Sequence, residues 1–125
     1  MNVDPRFKKG LELFNHGEYF ECHEVIEDLW LETAPNDIYR DLYKGVIQAA
    51  AAIYQWDRGI LTGAHGLYAT AMGYLDRYRP VSLGLDVEKM TAQMKVCFKG
   101  FEKWDGKGEI KRPRESTPIL QYEVQ

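Results

Sequence analysis

The chain has 125 residues, of which 45% are hydrophobic and 13% aromatic, and this composition predicts a single domain over residues 1–125 with a substantial core. Its formal net charge of −3 provides no electrostatic footprint for a nucleic acid or an anionic membrane. The first residues lack the pattern of a signal peptide, no apolar run approaches membrane-spanning length, and there are only two cysteines, so we expect a cytoplasmic protein.

The first two predicted helices form a hairpin around Gly17. The first helix begins with Asp4 as N-cap and Pro5 at its first position, and it ends before Gly17, which suits a left-handed conformation. The second helix covers residues 18–31 and ends before Pro35, because a proline disfavours helix at the residue that precedes it. The apolar face of this second helix consists of Tyr19, Cys22, Val25, Ile26, Leu29 and Trp30.

The third predicted helix is expected to lie at the centre of the fold. It runs roughly from Asp37 to Arg58 with Asn36 as its N-cap, and most of its circumference is apolar. One polar stripe remains, which is either the solvent-facing line of the helix or the lining of a cleft against the second helix. The stripe consists of Asp41, Lys44, Gln48 and Gln55.

Two more helices and a tail complete the predicted elements. The fourth helix runs from a cap at Thr62 to about Arg79, and its three glycines predict close approach of a neighbour. The fifth helix follows a cap at Asp86. Residues 102–125 are rich in Gly, Pro and charge, which predicts an irregular tail, packed back on the helices or partly disordered, with residues 111–114 as a solvated linker. The three glycines are Gly63, Gly66 and Gly73, and the apolar face of the fifth helix is Val87, Met90, Met94, Cys97, Phe98 and Phe101.

A weak internal repeat relates the two halves of the helical region. Residues 14–17 and 56–59 are each an aromatic, two polar residues and a helix-ending glycine, about 42 residues apart. The same offset places His23 over His65. This pattern is typical of stacked helical hairpins. We therefore predict an all-α fold, a compact bundle of about five helices built on two antiparallel hairpins, with an extended C-terminal tail.

The densest cluster of ionisable side chains lies on the second helix. His23 and Glu27 are four residues apart at the edge of its apolar face, so they are neighbours that can share a proton, bind a metal or hold a water. The metalloprotease pattern lacks its second histidine here, and the di-iron pattern fails because residue 20 is a phenylalanine. The pair is therefore either a structural seam, joined by Arg40 or Lys44, or a functional polar site with or without a divalent metal.

Two blocks of this sequence resemble the domain-of-unknown-function family 309, which consists of small prokaryotic proteins. The first is residues 14–30, FNHGEYFECHEVIEDLW, and the second runs from Arg40 through residues 43–50 to Gly63 and Ala64. The resemblance covers roughly residues 5–80. It implies an all-α fold of about five helices and no established activity. The site residues that it marks are His23, Glu24, Glu27 and Gln48.

Our first functional hypothesis is a module that binds a small ligand or a protein in a groove between helices, with no cofactor required. The groove and the supply of aromatic side chains motivate it. The predicted binding residues are Glu27, Trp30, Lys44 and Gln48.

The alternative is a small metal-dependent or acid/base hydrolase-like enzyme. His23 would be the acid–base group or metal ligand, Glu27 its partner and second metal ligand, and Glu24 would orient water or substrate. Glu24 lies about 100° around the helix from His23, so the two cannot both point straight at one atom. Either hypothesis is compatible with a homo-oligomer formed through the apolar third and fourth helices.

Overall fold

The computed structural model describes residues 2–124, and it confirms the prediction of an all-α fold with about five helices. Met1 and Gln125, which belong to the predicted domain, lie outside the described residues. No helix within residues 2–124 is both long enough and apolar enough to cross a membrane. The helices are α1 (Pro5–Asn15), α2 (Tyr19–Glu32), α3 (Arg40–Asp57), α4 (Leu61–Leu75) and α5 (Val87–Cys97). An antiparallel hairpin of β1 (Val81–Ser82) and β2 (Leu85–Asp86) precedes α5, and 3₁₀ turns occupy Asp76–Tyr78, Lys99–Lys103 and Arg114–Ser116.

The first four helices form the two predicted antiparallel hairpins. Each helix packs on the next one in the chain, so that α3 lies between α2 and α4. Gly17 and Gly59 close the two turns with φ values of 76° and 78°, which only glycine adopts without strain. In both turns the residue after the glycine donates a backbone hydrogen bond of 2.9 Å to the carbonyl five residues earlier. The internal repeat is therefore a repeat of backbone geometry.

Close approach between helices occurs at glycines other than the three we predicted. A Cβ at Gly45 would lie 2.8 Å from the Leu75 side chain, and a Cβ at Gly10 would overlap Ile26. At Gly66 and Gly73 a Cβ would meet no described atom within 4 Å, because both glycines face outward from α4. The prediction of close approach along α4 is therefore wrong, and the tight contacts are α1 on α2 and α3 on α4.

Two predicted helix caps are also wrong. Asn36 does not cap α3, because residues 34–39 form turns in which Asp37 accepts a hydrogen bond from the Tyr39 amide, and the helix begins only at Arg40. Thr62 lies inside the first turn of α4, whose N-cap position is Ile60. By contrast, the predicted caps Asp4 and Asp86 both accept backbone hydrogen bonds at their helix starts.

The C-terminal segment contacts both hairpin turns. The Asn15 side chain donates to the Leu120 carbonyl at 2.9 Å and accepts from the Leu120 amide at 2.7 Å. At the other turn, the Arg112 guanidinium donates to both carboxylate oxygens of Asp57, at 2.8 and 3.0 Å. The Arg112 side chain is only 5% exposed. Residues 111–114 are therefore not the solvated linker that we predicted.

Candidate binding groove between α2 and α3

The predicted pair of His23 and Glu27 forms a direct contact on α2. His23 Nε2 lies 3.0 Å from Glu27 Oε2, and the two side chains are 31% and 40% exposed. Because a carboxylate can only accept, Nε2 is the donor in this contact, and in the neutral form of the imidazole Nδ1 is then a hydrogen-bond acceptor. Both side chains of the pair are therefore partly exposed.

A cavity of about 130 Å³ lies beside His23, between α2 and α3. Phe20 is 43% exposed and borders it, with its ring centroid 5.4 Å from that of Tyr54 and 6.1 Å from that of His23. An engineered apolar cavity of about 150 Å³ holds one benzene, so this space is on the scale of a single ring. The cavity is lined by Tyr19, Phe20, His23, Ala51, Tyr54 and Gln55.

Three buried polar atoms of α2 and α3 have no hydrogen-bond partner within residues 2–124. They are Trp30 Nε1, Gln48 Oε1 and Gln55 Oε1. The two glutamines are seven residues apart on α3 and so share one helical face. Because buried polar groups in native proteins nearly always have a partner, a concentration of three such atoms calls for a physical explanation.

Two cations flank the indole of Trp30 at the far end of the groove from the cavity. The Arg40 guanidinium carbon lies 4.1 Å from the ring centroid, and the Lys44 ammonium lies 4.3 Å from it. Both distances are in the range of cation–π attraction. The seam interpretation had Arg40 or Lys44 joining His23 and Glu27, and the structure instead places both cations on Trp30.

The family comparison covers the part of the chain that carries this groove. Residues 7–67 match the family model described as "Domain of unknown function (DUF309)". This segment of the chain belongs to the DUF309 family. The chain is also 36% identical over 87 residues to "Uncharacterized protein YpuF" of Bacillus subtilis (strain 168), an alignment that covers 68% of this chain and 49% of YpuF. The chain therefore spans about half the length of that relative.

The DUF309 segment contains the groove but not α5 or the tail. Residues 7–67 include α2 and α3 entirely and end within α4. The recognition that we made from residues 14–30 and 40–64 is therefore confirmed. The packing of Trp56 on Phe98 and Phe101, which follow α5, and the ion pair between Asp57 and Arg112 bring in residues beyond the matched segment.

In this DUF309 protein, the other residues of the enzyme hypothesis are not arranged around the cavity beside His23. Glu24 is exposed and does not line the cavity. Within residues 2–124, no group of three or more His, Cys, Asp or Glu side chains is arranged to hold a metal ion. A divalent metal at His23 and Glu27 would thus have two protein donors, one fewer than a catalytic zinc site.

Neither cysteine of the DUF309 protein is an activated nucleophile. Cys22 and Cys97 are both free and buried. Burial raises the pKa of the Cys22 thiol to about 12, and burial likewise raises the pKa of Cys97 to about 11. Both side chains therefore remain protonated at neutral pH and pack as small apolar groups.

Sequence reasoning missed part of the cavity lining. Phe20 entered the sequence analysis only as the residue at which the di-iron pattern fails, and Tyr54 was not among the predicted site residues. Gln55 was in the polar stripe but outside the predicted binding set. A signal was available, because positions 20 and 23 on α2 and positions 51, 54 and 55 on α3 all follow helical spacing.

Proposed function

We propose that the groove between α2 and α3 binds a small ligand through a planar group that carries N–H or O–H donors. The observation that carries this proposal is the cavity of about 130 Å³, one of whose lining residues, Gln55, has a buried Oε1 without a hydrogen-bond partner. Aromatic side chains supply most of the rest of the wall, and they favour a flat guest.

Gln55 Oε1, the atom near the cavity that lacks a partner, favours a ligand that carries a hydrogen-bond donor. Gln55 Oε1 is an acceptor, and in the neutral form of His23, with Nε2 donating to Glu27, Nδ1 is an acceptor as well. A carbonyl or carboxylate in this position would leave those atoms unpaired, which is unfavourable in a desolvated site. Gln55 Oε1 reaches the cavity by rotation about the terminal side-chain torsion, which is broad for glutamine.

The experiment compares benzamidine with benzoate, two molecules of matched size that carry donors and acceptors respectively. Each is titrated into ¹⁵N-labelled protein. We expect benzamidine to shift the backbone amides of Ala51, Tyr54 and Gln55, and benzoate to leave these amides unchanged. Equal responses to the two molecules, or none to either, would overturn the proposal.

A matched pair of variants locates the interaction on α3. Gln55→Leu removes the acceptor at the cavity wall, whereas Gln48→Leu removes another partnerless acceptor that does not line the cavity. We expect benzamidine affinity to fall about tenfold in Gln55→Leu, the effect of one lost hydrogen bond, and to stay unchanged in Gln48→Leu. Equal losses in both variants would place the binding site elsewhere.

A further inference from the structure

The two cations beside Trp30 are not neutralised by their acidic neighbours. Among residues 2–124, no carboxylate oxygen lies within 4.0 Å of either Arg40 or Lys44. Several nearby acidic residues are paired elsewhere, Glu27 with His23, Glu32 with Arg6 and Asp41 with Arg77. Asp37, three residues before Arg40, accepts a hydrogen bond from the Tyr39 amide. Arg40 and Lys44 are also four residues apart on α3 and so are neighbours on one helical face, and like charges in proximity favour a bound anion.

Trp30 adds a hydrogen-bond donor to this positive end of the groove. Its Nε1 is buried and has no acceptor within the described chain. A guanidinium, an ammonium and an indole N–H together are the donor set that a carboxylate accepts from. We propose that this end holds the C-terminal carboxylate of an extended peptide, while the planar group of a residue upstream in that peptide enters the cavity. This inference rests on the proposed function of the cavity.

The spacing of the groove supports a peptide rather than a single small acid. Lys44 and Ala51, which mark the two ends, are seven residues apart on α3, and at about 1.5 Å per residue this is about 10 Å. An extended peptide covers about 3.3 Å per residue, so about three residues span the distance. Gln48 lies between Lys44 and Ala51 on α3, and rotation of its side chain would turn its buried, partnerless Oε1 towards a peptide N–H.

The test uses acetyl-Tyr-Gly-Gly with a free C-terminus and the same peptide with a C-terminal amide, each measured by calorimetry. We expect the acid to bind about tenfold more tightly than the amide, because charge-assisted hydrogen bonds to the carboxylate are lost. In Lys44→Gln and Arg40→Gln, the ratio of the two affinities should fall towards one. Lys95→Gln, an exposed cation on α5, is the control that keeps the ratio.

The outcomes separate this inference from the proposed function. If benzamidine binds and the two peptides bind equally, the proposed function of the cavity is supported, and the proposed carboxylate site beside Trp30 is overturned. If neither benzamidine nor the peptides bind, both proposals fall. Acetate alone binding as tightly as the free-acid peptide would overturn the peptide assignment in favour of a small acid. A purely structural role for Lys44 would weaken acid and amide alike, which would also contradict the inference.

Discussion

The two helical hairpins share one backbone design but differ in the chemistry of their outer edges. His23 on α2 corresponds to His65 on α4 at the 42-residue offset, and both rings lie beside an aromatic side chain. His23 pairs with Glu27, whereas the position corresponding to Glu27 is Ala69, and His65 instead stacks on Phe101 at 5.2 Å. The repeated turns thus place a histidine at the same position in each hairpin. The residue four positions later, Glu27 or Ala69, determines whether that histidine has a carboxylate partner.

The open ends of the hairpins show the same principle with the charges reversed. In the first hairpin Arg6 on α1 pairs with Glu32 on α2 at 2.9 Å. In the second, Asp41 on α3 pairs with Arg77, just after α4, at 2.8 Å. Each hairpin is therefore closed by an ion pair between its two helices, without any correspondence in residue type.

The largest loss of stability is expected at the turn of the second hairpin, where Asp57 binds Arg112 of the C-terminal segment. Asp57→Asn would leave the Arg112 guanidinium, in a side chain 5% exposed, without its bidentate carboxylate. We expect the free energy of unfolding to fall by about 2–3 kcal/mol, because an uncompensated buried charge is costly. Asp28→Asn, at an exposed position on α2, is the control for charge removal alone. Chemical denaturation measures both, and equal effects would mean that the ion pair contributes nothing specific.

A smaller loss of stability is expected where Gly45 of α3 packs against α4. In Gly45→Ala the new methyl would lie 2.8–2.9 Å from the fully buried Leu75 side chain. We expect a net destabilisation of about 1–2 kcal/mol, because overpacking outweighs the gain in helix propensity. Gly66→Ala makes the same chemical change at an open position and should stabilise the protein by about 0.5–1 kcal/mol. If both variants stabilise, the close contact of the second hairpin is more adaptable than its geometry indicates.

Local signals account for the parts of the fold that could be predicted from the sequence. The turns at Gly17 and Gly59 and the caps at Asp4 and Asp86 depend on residues within a few positions of each other, and the structure has all four. The tight glycines could not be identified, because whether a helical glycine is crowded depends on which neighbour crosses it. The ion pair between Asp57 and Arg112 joins residues 55 positions apart, and no local sequence pattern predicts it.

In the candidate site, too, contacts within one helix could be predicted from the sequence, and contacts between helices could not. His23 and Glu27 could be paired from the sequence because they lie on one helix at a spacing of four. The cavity beside them could not be found in this way, because it combines Phe20 of α2 with Tyr54 and Gln55 of α3, and the rotation of one helix against the other decides which side chains meet. The cations on Trp30 belong to the same class of contact.

The open end of the first hairpin predicts a loss of stability in acid. Hydrogen bonds from Arg6 hold the pKa of Asp4 below its usual value of 3.8. Since the pKa is lower in the folded state, the resulting stabilisation is present above that value and is lost as the pH falls through the folded pKa. Asp4→Asn keeps a good N-cap but removes this titration. We expect a shallower decline of stability below about pH 4 in the variant, measured by urea denaturation across the acid range. Parallel declines in both proteins would assign the acid sensitivity to other carboxylates.

The smallest expected change in stability separates the histidines of the two hairpins. Glu27→Ala gives α2 the residue that α4 has at Ala69, and so leaves His23 without its carboxylate. Because the Glu27 side chain is 40% exposed, we expect the free energy of unfolding to change by less than about 0.5 kcal/mol.

Binding, unlike stability, should respond clearly to Glu27→Ala. Without Glu27 the neutral imidazole is no longer fixed with its proton on Nε2, so Nδ1 is an acceptor for only part of the time. Benzamidine affinity should therefore fall several-fold, as measured by the same amide shifts, while Glu24→Ala, one turn away and outside the cavity lining, leaves it unchanged. A variant that loses stability but keeps its affinity would make the His23–Glu27 pair a structural contact, like the stacking of His65 on Phe101, and would remove the distinction between the hairpins.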